Sequence, residues 1–404
     1  CLADLSPEPG DLTPTTLLAA EALVFKNNSV FRHHDLDRAV AMLSILHGGI
    51  GSLSEIESAV SQQLGIVRLP DSPSEELYFT TETFRQLEVD LLRFARKASE
   101  HSQHFTLSDL DIQKALGQCE QEKGFPLRDE QVQAMVHATD GRKIAIIQGA
   151  AGTGKSASLA ALKIAYTSAG HRVLGLAPSG AATAELEKSS GIDSQTIHAL
   201  LMRLENDDAR KPFHLTDRDV IVLDEAGMVS SRQMALFVEA VTKAGAKLVL
   251  VGDPEQLQPI EAGAAFRAIT ERIGYAELET IYRQREQWMR DASLDLARGN
   301  IAKAVASYSA NGRMMGSTLK SQAVENLISD WNRDYDPAHS SLILAHLRRD
   351  VRMLNTLARA KLVERGLVDD GHAFKTEDGI RHFAAGDQIV FLKNEGSLGV
   401  KNGM

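Results

Sequence analysis

Between residues 142 and 253 the chain repeats one pattern. Four short apolar runs, RKIAIIQ, RVLGLAP, DVIVLDE and KLVLVGD, alternate with stretches in which apolar residues return every three or four positions. The runs are rich in β-branched residues and predict buried strands. ASLAALKIAYTSAG, AATAELEKSSG and SRQMALFVEAVTKAG predict the helices between them. Strands alternating with helices give a parallel sheet covered on both faces. The expected fold class is α/β, with this sheet at the centre of a domain over residues 116–285.

Upstream, residues 1–115 have another texture. HDLDRAVAMLSI begins with a capping Asp, and SLSEIESAVSQQLG has Ser52 or Ser54 as cap and Gly65 as stop, so two helices are expected. IVRLP and ELYFTT flank a Pro/Ser/Asp turn and predict a β-hairpin. Helix, helix, hairpin is the order of a winged helix, so a mainly helical, winged-helix-like domain is expected, with TETFRQLEVDLLRFARKASE as a longer helix leading out. Downstream, over residues 286–404, SLILAHLRRDVRMLNTLARAKLVERG predicts a strand and then a helix. One face of that helix carries Leu347, Val351, Leu354, Ala358 and Leu362, the other Arg348, Arg349, Arg352 and Arg359. This is the expected start of a second α/β unit. The end, GDQIVFLKNEGSLGVKNGM, predicts an apolar strand running into a turn, and the chain opens on Cys1, so it is read as part of a longer polypeptide.

A hydrophobic content of 43% over 404 residues is ample for two or three buried cores, and few aromatics with much alanine favour helices. The net charge of −10 excludes binding nucleic acid by bulk charge, so any such site is local. Cys1 and Cys119 fit neither a disulfide framework nor a zinc site, which points to a reducing cytoplasm. No run of 18 apolar residues and no signal-like start are present, so no membrane segment is expected.

The chemistry lies at the strand ends, where open α/β sheets bind ligands. GAAGTGKS runs Gly149, Ala150, Ala151, Gly152, Thr153, Gly154, Lys155, Ser156, directly after a strand and before a helix. This is the Walker A pattern: the glycines let backbone amides curl toward phosphate, Lys155 reaches the β- and γ-phosphates, and Ser156 ligates Mg²⁺. ATP and Mg²⁺ are the expected cofactors. Asp224 and Glu225 end the third run. The first suits Mg²⁺ through water and the second suits a general base orienting the attacking water, although paired loop acids are common in isolation. In LVLVGDPEQLQPI, Asp253 and Pro254 break the strand and leave Gln256 at the ligand edge, where an uncharged amide can sense a γ-phosphate; alone, the stretch is a turn.

QGAAGTGKS, VLDEAGMVS, VGDPEQLQPI and IYRQ, in this order, resemble motifs I to IV of superfamily 1 DNA helicases of the RecD kind. The resemblance implies a RecA-like P-loop NTPase domain. It implies that LRDEQVQAM places Gln131 on the adenine, that Tyr282 stacks on the same base, and that Arg283 is an arginine finger. SVFRHHDLDRAV, YFTTETFRQLEVDLL and LILAHLRRDVRMLN are similar to the helicase portion of TraI/TrwC-type conjugative relaxases. Those proteins join a DNA-nicking transesterase to a helicase tracking 5′ to 3′ on the transferred strand. A nicking site needs a tyrosine nucleophile and a histidine trio, and the adjacent His33 and His34 have no third partner, so they read as solvated histidines. The resemblance places the nuclease upstream of Cys1. It makes residues 286–404 an incomplete second RecA-like domain entering a β-barrel insertion, with motifs V and VI and a second arginine finger beyond residue 404.

By the same resemblance, APSGAAT contributes Pro178, Ser179, Gly180 and Thr183 to single-strand contact, and SQTIHALL contributes Thr196 and His198. Ser179 reads equally as a helix cap and His198 as a core-edge histidine, and the Arg348, Arg349 and Arg352 stripe reads as a solvated helix face ahead of a phosphate contact. The expectation is an ATP-dependent 5′ to 3′ single-stranded DNA translocase and helicase, the motor of a relaxase. Its partners would be single-stranded DNA, an upstream relaxase domain and other conjugation proteins. The alternatives are an ATP- and DNA-binding module without turnover, or a free-standing RecD-like repair helicase.

Overall fold

In a computed structural model the chain is described over residues 29–46, 58, 61–62, 65–69, 77–205, 213–256, 263–282, 284, 286–339, 341–376, 379–391, 398 and 400. Its contacts divide into two compact units at the 285/286 junction. The first begins with β1 (Phe31–Arg32), α1 (His33–Leu46), β2 (Ile66–Arg68) and β3 (Tyr78–Thr81), the three strands forming a small antiparallel sheet of order β1-β3-β2. The two strands foreseen as a hairpin pair with Ile66 opposite Thr81. Asp35 lies within the first turn of α1 and accepts the Arg32 N–H at 3.0 Å, the returning half of a capping box. The second helix expected here lies mostly outside the described residues; Ser58, Ser61 and Gln62 within it are helical.

The chain continues through α2 (Glu82–Ala98), β4 (His101–Thr106), α3 (Asp109–Lys123), α4 (Asp129–Ala138), β5 (Asp140–Arg142) and β6 (Ile144–Gly149). Then come α5 (Lys155–Ser168), β7 (Arg172–Ala177), α6 (Gly180–Ser190), β8 (Ser194–Thr196), α7 (Ile197–Glu205), β9 (Asp219–Leu223), α8 (Ser231–Ala244), β10 (Lys247–Gly252), α9 (Ala265–Ile273) and β11 (Ala276–Leu278). Strands β11-β6-β10-β9-β7-β8 form one six-stranded sheet, parallel throughout. The four apolar runs make its middle. The edge strands β8 and β11 were not foreseen, because SQT and AEL are too short and polar to carry a period.

Alternation along the strands builds two cores. Ile144, Ile146, Leu174, Leu176, Ile221, Leu223, Leu248 and Leu250 face one side, against Met234, Phe237 and Val241 of α8 and Phe266 and Ile269 of α9. Ala145, Ile147, Val220, Val222, Val249 and Val251 face the other, against Leu159, Leu162 and Tyr166 of α5 and Ala134 and Ala138 of α4. A further layer forms where Ile112, Ala115 and Cys119 of α3 pack on Ala161 and Ala165 of α5. Helix α2, expected to lead out of an N-terminal domain, instead buries Leu91, Ala95 and Ala98 in the first of these cores. The expected boundary at residue 115 falls inside α3. Apolar residues on one face of α2 had no local sign of the partner they cover.

The second unit holds α10 (Gln287–Ala297), α11 (Ile301–Ala310), α12 (Lys320–Asp334), α13 (Arg348–Glu364) and the antiparallel pair β12 (His372–Thr376) and β13 (Gly379–Phe383). The strand expected in SLILAH is not formed: residues 341–345 carry no regular structure, and Leu342 and Leu344 are 82% and 83% exposed. A strand needs neighbours for its N–H and C=O groups, and among the described residues this unit offers no parallel sheet. Residues 387–391, also expected as strand, lack one for the same reason. On α13 only Leu354 of the apolar stripe is buried. Arg359, expected on the face opposite the apolar stripe, donates to Asp387 at 3.0 Å and to the Asp369 carbonyl at 2.8 Å.

At the amino end of β10 the Lys247 side chain is fully buried, its ammonium donating to the Arg142 carbonyl and lying 5.8 and 5.9 Å from the ring centres of Phe105 and Tyr166. Burial pushes its amine from the ordinary 10.5 down to about 7, Asp140 opposing the shift. Between those two values the unfolded chain holds a proton that the folded chain has lost, so stability rises with pH across the window. Lys247→Met is expected to stabilise the chain at pH 7, on the order of 1–3 kcal/mol, the gain shrinking toward pH 10.5. Urea unfolding of both proteins at the two pH values measures it; a pH-independent difference would assign the effect to packing.

Candidate nucleotide site

The loop between β6 and α5 is bent by Gly152 and Gly154, at φ of 87° and 84°, the left-handed region open to glycine at low cost. Thr153 Oγ1 braces the bend by donating to the Ala150 carbonyl at 2.9 Å. Lys155 opens α5, and its Nζ crosses the loop to the carbonyls of Gly149 at 2.6 Å and Ala150 at 3.2 Å. Ser156 follows in the first helical turn, half-buried. A run of amides ending in a helix N-terminus, with one ammonium, is a phosphate cradle. A Cβ on Gly154 would also displace the Gln131 amide nitrogen from its place against the loop.

That amide is engaged at both ends. Gln131 Oε1 accepts the Arg128 N–H at 2.9 Å, and Nε2 donates to the Gly154 carbonyl at 3.2 Å. Gln131, expected on a base, thus also ties the first turn of α4 to the phosphate loop. Its neighbour Glu130 was missed: it accepts the Tyr282 hydroxyl at 2.9 Å and the backbone N–H groups of Glu279 and Thr280 at 3.0 and 3.2 Å. The Tyr282 N–H donates to the Gly152 carbonyl at 2.8 Å. An acid in a first helical turn reads as a dipole partner, so nothing in the sequence marked Glu130 for this contact. Burial and the Glu130 bond both push the Tyr282 phenol up, so it stays a donor. Arg283 lies outside the described residues.

Asp224 and Glu225 follow β9, which β10 separates from β6 in the sheet. Burial raises the Asp224 carboxyl pKa, and the Glu225 N–H donated at 2.9 Å and the nearby Lys155 charge pull it back. Glu225 sits at φ 52°, ψ 38°. Among the described residues it is the one non-glycine residue at positive φ. Such a conformation costs on the order of 1 kcal/mol and turns the side chain out of the strand direction. Beyond β10, Asp253 accepts the Glu255 N–H at 3.0 Å and the Gln256 side-chain amide at 3.1 Å, fixing that glutamine in a turn. Gly227 keeps the Asp224 loop close to this turn: a Cβ on it would lie 2.9 Å from the Asp253 carbonyl oxygen.

The donor set fits Mg²⁺. Such an ion takes hard oxygens and keeps much of its shell as water and phosphate, so a hydroxyl at Ser156 and a carboxylate at Asp224 suffice. No group of three or more His, Cys, Asp or Glu able to hold a metal occurs among the described residues.

The residues expected on single-stranded DNA gather at and beyond the carboxyl ends of β7 and β8, and they divide. Ser179 is exposed and caps α6 by accepting the Ala182 N–H at 3.2 Å. Pro178 is half-buried, Gly180 is buried, and His198 is exposed rather than at a core edge. Thr196 caps α7 through the Ala199 N–H. Thr183 is the correction: it is 2% exposed and its hydroxyl donates to the Gly180 carbonyl at 2.7 Å, so it braces the helix start and does not face solvent.

Residues 126–318 match the family described as an AAA domain. The chain is 52% identical over 386 residues to a probable conjugal transfer protein TraA of Sinorhizobium fredii, covering 95% of this chain and 34% of that protein. It is 32% identical over 218 residues to the RecBCD enzyme subunit RecD of Mycolicibacterium smegmatis, covering 47% of this chain and 39% of that one. To the multifunctional conjugation protein TraI of Escherichia coli it is 26% identical over 262 residues, covering 53% and 15%. The chain thus carries an AAA domain and is a relative of RecD-like superfamily 1 helicases and TraI-type conjugative proteins, spanning about a third of the length of the TraA protein.

Two variants test the site. Lys155→Ala is expected to abolish nucleotide turnover with the circular dichroism spectrum unchanged; near-normal turnover would remove the phosphate-cradle assignment. Glu225→Gly is expected to stabilise the fold by about 0.5–1 kcal/mol by relieving the left-handed strain while turnover is lost. Thermal unfolding beside a phosphate-release assay reads both, and a less stable variant would mean that Glu225 contacts outweigh its strain.

Proposed function

We propose that this relative of the TraA, TraI and RecD proteins is the ATP-driven motor portion of a conjugal-transfer relaxase, moving 5′ to 3′ along single-stranded DNA. The observation that carries the reading is convergence: a phosphate loop, a half-buried carboxylate beside a second acid, and an uncharged amide lie at the carboxyl ends of three neighbouring strands, β6, β9 and β10. A sheet edge so equipped suits phosphoryl transfer to water, where catalysis is mostly positioning and charge stabilisation.

In this reading Lys155 exchanges its two loop carbonyls for β- and γ-phosphate oxygens, and the amides of residues 149–156 complete the cradle. Ser156 and Asp224 hold Mg²⁺, which when bound neutralises phosphate charge. Glu225 orients the attacking water and takes its proton on a carboxylate oxygen. Gln256, steadied by Asp253, reads the γ-phosphate. Tyr282 stacks on the adenine, and Gln131 offers the base its second amide N–H and remaining lone pair. Arg283 serves as the arginine finger. The strand passes the carboxyl ends of β7 and β8, gripped by Ser179, Thr196, His198 and the backbone at Pro178 and Gly180, without the Thr183 side chain. Grip by hydroxyls and amides is compatible with a net charge of −10.

A conjugative role is favoured over free-standing repair because the likeness to TraA covers 95% of the chain and that to RecD 47%. An upstream relaxase domain, other conjugation proteins and a cytoplasmic location belong to the same proposal. Among the described residues no helix is long and apolar enough to cross a membrane.

ATP hydrolysis by the chain is expected to rise on adding single-stranded DNA, and a duplex with a 5′ tail to be unwound while one with a 3′ tail is not. A phosphate-release assay and a gel-based unwinding assay check this. Preference for the 3′ tail would reverse the assigned direction, and ATP binding without turnover would reduce the chain to a binding module.

A further inference from the structure

We infer that Glu130 is a positioning residue for the nucleotide base, its carboxylate holding the Tyr282 ring beside the phosphate loop. The inference rests on the reading of Tyr282 as the adenine platform. One Glu130 oxygen accepts the Tyr282 hydroxyl at 2.9 Å, and the other accepts the N–H groups of Glu279 and Thr280 at 3.0 and 3.2 Å. Tyr282 is therefore pinned at both ends, its phenol to α4 and its own N–H to the Gly152 carbonyl at 2.8 Å. Its ring lies 3.9 Å from where a Cβ on Gly154 would stand, yet the residue is 40% exposed. Beside it on the same helical turn, Gln131 holds the Gly154 carbonyl. Two consecutive side chains thus anchor the platform and the loop to one rigid helix.

The chemistry of the contact favours a carboxylate. It accepts only, and it has lone pairs enough for three donors. A glutamine would turn its NH₂ toward one of those donors and lose part of the set. Bonds to a charged acceptor are the stronger kind, and a ring fixed before the ligand arrives spares the cost of ordering it on binding.

The test is isothermal calorimetry with ATP and with inorganic tripolyphosphate, both with Mg²⁺, on the wild-type chain, Glu130→Gln, Glu130→Ala, Tyr282→Phe and the Glu130→Ala/Tyr282→Phe double variant. The Glu130 variants and Tyr282→Phe are each expected to weaken ATP about tenfold, the scale of one charge-assisted hydrogen bond, and to leave tripolyphosphate within about twofold. The double variant is expected to bind ATP no worse than Glu130→Ala alone, because both changes break the same contact. A merely structural Glu130 would weaken both ligands together through the loop; that result, or unchanged ATP affinity in the Glu130 variants, overturns the inference alone. A wild-type chain that binds neither ligand overturns the nucleotide reading and the inference with it.

Discussion

The parallel ladder that seats β10 between β6 and β9 governs everything at the nucleotide site. Gly252 is level with Gln148 on one side, and Leu250 is level with Leu223 on the other. The residues that follow, Gly149, Asp224 and Asp253, therefore leave the sheet along one edge. A slip of one residue would send the side chains of a strand to the opposite face, exchanging members of two cores built from leucine and isoleucine on one side and mostly valine on the other. The geometry of the chemistry is thus set by apolar packing below it.

That dependence explains what the sequence disclosed. Strands buried on both faces must be continuous apolar runs, so the four middle strands and the helices between them were legible, as was a phosphate loop whose glycines and lysine have few other uses. What depended on distant partners was hidden. The apolar stripe of α2 could not reveal that its cover is α8, and SLILAH has the composition of a strand without the neighbours that would make it one. Thr183 matched a motif position, yet its place on the inner side of α6 commits its hydroxyl to Gly180. Arg359 stood opposite the apolar stripe with no sign of Asp387, which returns to meet it from beyond α13. Glu130 stood beside Gln131 in plain view, but its partners are about 150 residues away.

Two positions oppose local stability. Glu225 accepts left-handed backbone where a glycine would rest easily, and Lys247 holds an amine in a core that a hydrocarbon would fill. The first has a reason at the site, since its carboxylate would be lost with the strain. For the second, the carbonyl of Arg142 and two aromatic rings are partners enough to hold it, but they lie at the amino end of β10, away from the phosphate loop.

The docking of α2 constrains how such a polypeptide can be rearranged. Leu91, Ala95 and Ala98 share a core with α8 and α9, so a joint cut after this helix would strip cover from Met234 and Phe237 and leave a greasy flank on the sheet domain. Modules can be swapped in a gene only where the seam crosses little buried surface. Recombination that delivers this sheet domain to a new neighbour must therefore carry α2 along as part of the cassette, its seam lying on the amino-terminal side of Glu82.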